Sequence, residues 1–306
     1  MGRTWLLGLC LLVSCLCWAD SGLNDDEMLD FYAAPVQQSS WSPGLTVTPS
    51  LERQVYKTSS STLELMTLRP FIDHGPWELA LSAPFERILG NTDITSLGPS
   101  PRLICRRLAG LTHRQIKEQL ARGLLTATEI NYCHTHHIHI HSQSGQMATG
   151  WSDVSLELLR NWSQGTLWSG YMGIVGKNNN GDVSSGIGTG TRDITAEFAT
   201  TARLHDWQST LAGGYTYVGS NTENYHSFPY ASLDIACTAY RYLWPGLSFN
   251  YQPPTVDTLS ATQYVSVYLE LHSAGNSLLR FYSDYYAHTD NIFPNHELGV
   301  VLSLTF

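Results

Sequence analysis

The sequence predicts an all-β chain, a single antiparallel transmembrane β-barrel of about 12 strands with a short helical insertion. Three observations predict it. Only 14% of the 306 residues are charged, while Tyr (16) and Trp (9) are plentiful; soluble domains usually carry about 25% charge. Beyond the N-terminus no apolar run approaches the roughly 18–20 residues of a spanning helix. Segment after segment alternates apolar and polar residues between clusters of Gly, Asn, Asp and Pro, the pattern of a strand with one face against an apolar medium. A large secreted β-sandwich shares this composition, so the individual elements have to decide. The net charge of -9 argues against nucleic acid as a partner.

The chain opens with a targeting segment. Arg3 supplies a positive start and Trp5 to Trp18 an apolar stretch too short for an anchor, with cleavage expected after Ala19. The run Leu12-Val13-Ser14-Cys15 leaves a second reading open, lipoprotein processing at Cys15. Either way the chain is exported, and outer-membrane lipid is its expected surroundings. Residues 20–60 begin acidic (Asp20, Asp25, Asp26, Glu27) and continue Ser-, Thr- and Pro-rich, which predicts a flexible periplasmic leader. The barrel is expected over 61–306.

Strands are expected near 62–71, 76–87, 127–141, 150–160, 164–175, 190–203, 206–218, 226–237, 241–252, 262–272, 276–287 and 295–306. Each approaches the roughly 9–11 residues that cross a bilayer when tilted. Trp77, Leu79, Leu81 and Phe85 face away from Glu78, Ser82 and Glu86; Val265, Val267, Leu269 and Leu271 face away from Ser266, Tyr268, Glu270 and His272. In the last strand Leu298, Val300, Leu302, Leu304 and the terminal Phe306 share one face. That ending is similar to the C-terminal signature by which outer-membrane barrels engage their assembly machinery, so that machinery is an expected partner. Connections alternate long (176–189, 253–261) and tight (204–206, 273–275), as in barrels with short periplasmic turns and longer outer loops.

Residues 89–126 interrupt this alternation. Thr112 as N-cap, Gln115 completing a capping box and Gly123 as stop predict a short helix there. Arg102, Arg106, Arg107, Arg114, Lys117 and Arg122 make the insertion basic. In this scheme it lies on the periplasmic side, either as a plug at the pore mouth or as a solvated flap.

Of six cysteines, Cys10, Cys15 and Cys17 belong to the targeting segment. Cys105 and Cys133 are a possible disulfide in an oxidising compartment, which leaves Cys237 odd. Cys133 to His141 reads C-H-T-H-H-I-H-I-H. His137, His139 and His141 share one strand face and suit a divalent metal, zinc or copper. They equally suit a polar lumen with Ile138 and Ile140 towards lipid, and in that setting a pH-sensitive one. Apart from that metal, no cofactor is expected. Gly186 to Gly190 does not sit between a buried strand and a helix, so it reads as a loop and strand start and not as a phosphate cradle. Lys177 to Asp182 reads as an exposed outer loop. No nucleophile motif stands out, and the chain is not expected to be an enzyme.

Several short motifs carry a resemblance. Trp77-Glu78-Leu79-Ala80-Leu81-Ser82-Ala83-Pro84-Phe85 is followed by the insertion. Gly150-Trp151-Ser152-Asp153 then opens one strand, and Gly188-Thr189-Gly190-Thr191-Arg192-Asp193 opens another. Over roughly residues 60–306 the chain resembles a proteobacterial outer-membrane β-barrel family of unknown function, similar to transporters of the phenol-degradation MetA type. Ser152 stands where that pattern usually has a second glycine. The resemblance implies a barrel and transport, and no catalytic residues.

The expected function is a passive channel for small solutes, with Glu78, Glu86, Glu157, Glu197, Glu270, Arg280 and Asp284 lining the lumen and setting selectivity by charge. Two alternatives stand beside it. One is a non-conducting surface barrel acting through its outer loops, and the other is a metal-binding barrel using the His strand.

Overall fold

The computed structural model describes residues 40–56, 60–90, 94–95, 98–99, 147–181, 187–219, 225–255, 261–273, 277–287 and 294–306. The strands are β1 (Ser42–Val55), β2 (Ser60–His74), β3 (Trp77–Leu89), β4 (Ile94–Thr95), β5 (Gly98–Pro99), β6 (Ala148–Trp151), β7 (Ser155–Gln164) and β8 (Trp168–Lys177). They continue as β9 (Asp193–Leu204), β10 (Trp207–Val218), β11 (Phe228–Cys237), β12 (Leu243–Gln252), β13 (Thr262–His272), β14 (Ser277–Tyr286) and β15 (His296–Thr305). The 13-stranded sheet is antiparallel throughout, and β1 pairs with β15 to close it on itself. β6 and β7 lie end to end on one edge of β3, opposite Phe85–Ile88 and Trp77–Ser82 respectively. They share one place in the wall, so the protein is a closed antiparallel barrel of twelve staves. Closure leaves no unpaired sheet edge, which is what allows strands to cross a membrane.

Alternation decides which way each side chain points. Leu79, Leu81, Leu158, Met172, Ile174, Phe198, Leu211, Phe249, Phe281 and Leu298 lie on the outside, and Ile174 is 55% exposed. Trp77, Trp168, Tyr242 and Phe306 ring the end where β1 begins and β15 finishes; Trp151, Tyr217, Tyr251 and Tyr285 ring the other. An apolar belt between two aromatic girdles is the surface of a barrel in lipid. The inner face carries most of the charged residues, whereas Glu64 and Arg87, whose neighbours Leu63, Leu65, Glu86 and Ile88 line the interior, form an exposed pair on the outside.

The two ends differ in their connections. At the first end the strands are joined by 75–76, 165–167, 205–206, 238–242 and 273–276. Gly75 (φ 57), Gly165 (φ 62) and His205 (φ 51) supply the left-handed residues that such turns require. At the opposite end the connections include 90–147, 178–192, 219–227, 253–261 and 287–295.

Three expectations need correction. The leader was expected to run to residue 60, but Ser42–Val55 is β1 and forms the seam with β15. Leu45, Val47, Leu51 and Val55 alternate there as in any other wall strand, with Pro43 and Pro49 interrupting the pattern. The expected strand 127–141 lies outside the described residues, and the ring closes without it. Gaining β1 ahead of β2 and β3 reverses their direction, so the insertion leaves Leu89 and rejoins β6 at the long-loop end, not the end with the tight turns. No helix occurs among the described residues, and the described part of the insertion is the β4–β5 hairpin. The expected helix from Thr112 to Gly123 lies outside them, as do the targeting segment and Cys15. Cys237 is disulfide-bonded, so it is not the odd cysteine; its partner, like Cys105 and Cys133, lies outside the described residues.

Candidate functional site

The site is the inner face of the barrel. A cavity of about 670 Å³ lies in the long-loop half of the barrel, lined from β1, β2, β3 and β11 to β15. Its charged groups are the carboxylates of Glu52, Glu86, Asp234, Asp284 and Glu297 and the guanidinium of Arg280. Ser232, Ser248, Asn250, Ser266 and the phenols of Tyr264, Tyr282 and Tyr286 fill much of the remaining lining.

Two arginines organise the carboxylates around them. Arg69 on β2 reaches Glu157 on β7, from Nε at 2.9 Å and from Nη2 at 2.7 Å, and also pairs with Glu78 on β3. Arg280 on β14 pairs with Asp234 on β11 at 3.3 Å and Glu270 on β13 at 3.6 Å, with its guanidinium 3.8 Å from the Tyr268 ring centroid. Such half-buried clusters contribute more to fixing geometry than to net stability. Around Glu297 the donors are neutral: Tyr282 (3.0 Å), Tyr286 (3.3 Å) and Gln54 (3.1 Å).

A second cluster lies at the long-loop end, beside the starts of β7 and β9 and the end of β8. Asp153 accepts hydrogen bonds from the Gly181 N–H (2.8 Å), the Thr189 N–H (2.7 Å) and the Thr189 hydroxyl (2.8 Å). Lys177 stands 2.5 Å from Asp193 and 3.7 Å from Asp153, and Thr191 donates to Asp193 at 2.9 Å. Gly188 (φ 75) sits so close that a Cβ would be 2.7 Å from Asp153 Oδ1. The clamp turns residues 187–191 inward, and Ile187, almost fully buried, packs against Ile88 and Ala148 on the neighbouring strands β3 and β6. Asn178, Asn179 and Asn180 are exposed, as expected of this loop, while Lys177 and Gly181 at its two sides are tied to the cluster.

The expected lumen residues can now be placed. Glu86, Arg280 and Asp284 line the cavity. Glu78 and Glu157 converge on Arg69, Glu270 on Arg280, and Glu197 accepts from Tyr230 at 3.1 Å. The sequence reading missed Arg69, Asp234 and Glu297, whose alternation carried the signal, and Glu52, which lay in the unrecognised β1. Among the described residues no group of three or more His, Cys, Asp and Glu is placed to hold a metal ion. His137, His139 and His141 lie outside those residues.

No protein-family model matches the chain, and no curated protein matches it. Solved structures do. The KdgM porin is 8% identical, with 85% of this chain and 99% of that one covered at a TM-score of 0.45. The Pseudomonas putida toluene transporter TodX is 10% identical over 87% of this chain and 89% of that one, at a TM-score of 0.38. Pseudomonas putida OprB is 9% identical over 92% and 95%, at a TM-score of 0.37. Likenesses this slight assign neither a family nor a solute.

Proposed function

We propose that the protein is an outer-membrane channel for small hydrophilic solutes, with a preference for cations. The observation that carries this reading is the cavity, around which Glu52, Glu86, Asp234, Asp284 and Glu297 face Arg280, the one cation among the described residues that line it. Unbalanced charge of one sign on a pore wall selects permeant ions of the other sign. The lumen residues Glu78, Glu157, Glu197 and Glu270 add to the same sign, partly offset by Arg69. The reading involves no covalent chemistry. Export by residues 1–19, with lipid at Cys15 as the alternative, and assembly through the strand ending at Phe306 belong to it. So does the resemblance to the MetA-type transporters; two of the segments that carry it meet where Thr189 donates to Asp153.

The non-conducting alternative draws on one observation, the inward turn of residues 187–191 with Ile187 in the mouth. Planar-bilayer recording of the purified, folded protein separates the two. Discrete current steps support the channel; silence from protein shown to be folded rejects it.

A further inference from the structure

We infer that the wall formed by Glu52, Asp284 and Glu297 is a binding subsite for an organic ammonium ion. The inference rests on the channel reading above and names the class of solute the lumen holds. Asp284 and Glu297 stand directly opposite one another across β14 and β15, and both are more than nine-tenths buried. Like charges facing each other across a ladder destabilise it unless something of the other sign stands between them. Glu52 enters from β1, in register with Gly299 two residues along from Glu297. Arg280, the cation lining the same cavity, is engaged by Asp234 and Glu270.

The geometry also indicates what is missing. Glu297 is surrounded by donors, whereas Asp284 Oδ1 is buried with no hydrogen-bond partner. Buried carboxylate oxygens are normally satisfied, and one left bare beside two other carboxylates marks a place for a positively charged donor. A bare metal ion fits poorly, because the three carboxylates are not grouped tightly enough to ligate one. An ammonium on an organic body fits better. It brings N–H donors for Asp284, and the cavity, about 670 Å³, has room for the body. The rings of Tyr264 and Tyr286, 5.0 Å apart, line the same space, and aromatic faces attract organic cations.

The test uses the full-length folded protein in a planar bilayer, with putrescine as probe and neutral butanediol as control. Saturable interruptions of the potassium current by putrescine alone are expected. Asp284→Asn and Glu52→Gln should each weaken that block about tenfold, the cost of losing one charged hydrogen bond. Near-UV circular dichroism first establishes that each variant is folded; if Asp284→Asn does not fold, Glu52→Gln decides. A conducting channel that putrescine does not block, or blocks equally in both variants, overturns the subsite and leaves the channel reading intact. If the folded protein does not conduct, the channel reading falls. Calorimetry with putrescine in detergent then decides the subsite alone: saturable binding weakened by the variants supports it, and no binding overturns it.

Discussion

Tyr282 lies across Gly299, so close that a Cβ on the glycine would stand 2.2 Å from the tyrosine Cζ. The two residues face each other in register across β14 and β15, and the bare glycine lets the phenol run on to Glu297. The arrangement recurs. Tyr268 lies across Gly246 and donates to Asp234 on the strand beyond, and Tyr230 lies across Gly214 and donates to Glu197, again one strand further. Each glycine removes a side chain that would block a tyrosine from reaching a carboxylate along the inner wall.

These glycines should not be equally sensitive. At Gly214 an added Cβ meets the Ala196 carbonyl oxygen at 2.5 Å, which is backbone and cannot swing away. At Gly299 the nearest atoms belong to the movable ring of Tyr282. Gly214→Ala should therefore destabilise the folded barrel by about 1–3 kcal/mol and Gly299→Ala by less. Urea unfolding in lipid measures both, and the reverse order would refute the account of the contacts.

Lys177 is the only cation the described residues place between Asp153 and Asp193. Lys177→Met removes it and leaves two nearly buried carboxylates facing each other, a loss of about 3–5 kcal/mol for a broken buried pair. The inward segment 187–191 should come loose with it. Hydrogen exchange read at Thr189 and Thr191 checks this, and unchanged protection there would show that the clamp does not hold the segment.

The strand pattern was legible because alternation is a local property, and Val265 to Leu271 or Leu298 to Leu304 display it without help from the fold. β1 was not read because of its prolines. Pro49 has no N–H to give, and the ladder from β1 to β15 breaks where it sits, passing from Val47↔Leu304 to Ser50↔Val301. Missing that one strand reversed the assignment of ends for the insertion. At the site, Glu270 and Arg280 could be placed inside from alternation and turn out to be direct ladder partners. The reach of Arg69 to Glu157, 88 residues away, and of Asp153 to Thr189 depends on which strands become neighbours and how they are staggered, which no single segment encodes.

Phe198 sits midway along β9 and is half exposed on the outer surface. Phe198→Arg should cost about 2–4 kcal/mol when folding is measured in bilayers, the penalty for a cation on the lipid face near the midplane. A loss well below that would place this part of the wall against water or protein.

Arg69 neutralises part of the lumen by engaging Glu78 and Glu157. Arg69→Met frees both carboxylates and should shift selectivity further towards cations, read as a larger reversal potential in a potassium chloride gradient. A shift towards anions would mean that these carboxylates do not face the conducting path.

The most direct test of the central claim is the reversal potential of the wild-type channel across that same gradient. The excess of carboxylates around the cavity predicts discrete conductance steps whose current reverses on the cation-selective side. Reversal on the anion-selective side, or no steps from protein shown to be folded, would contradict it.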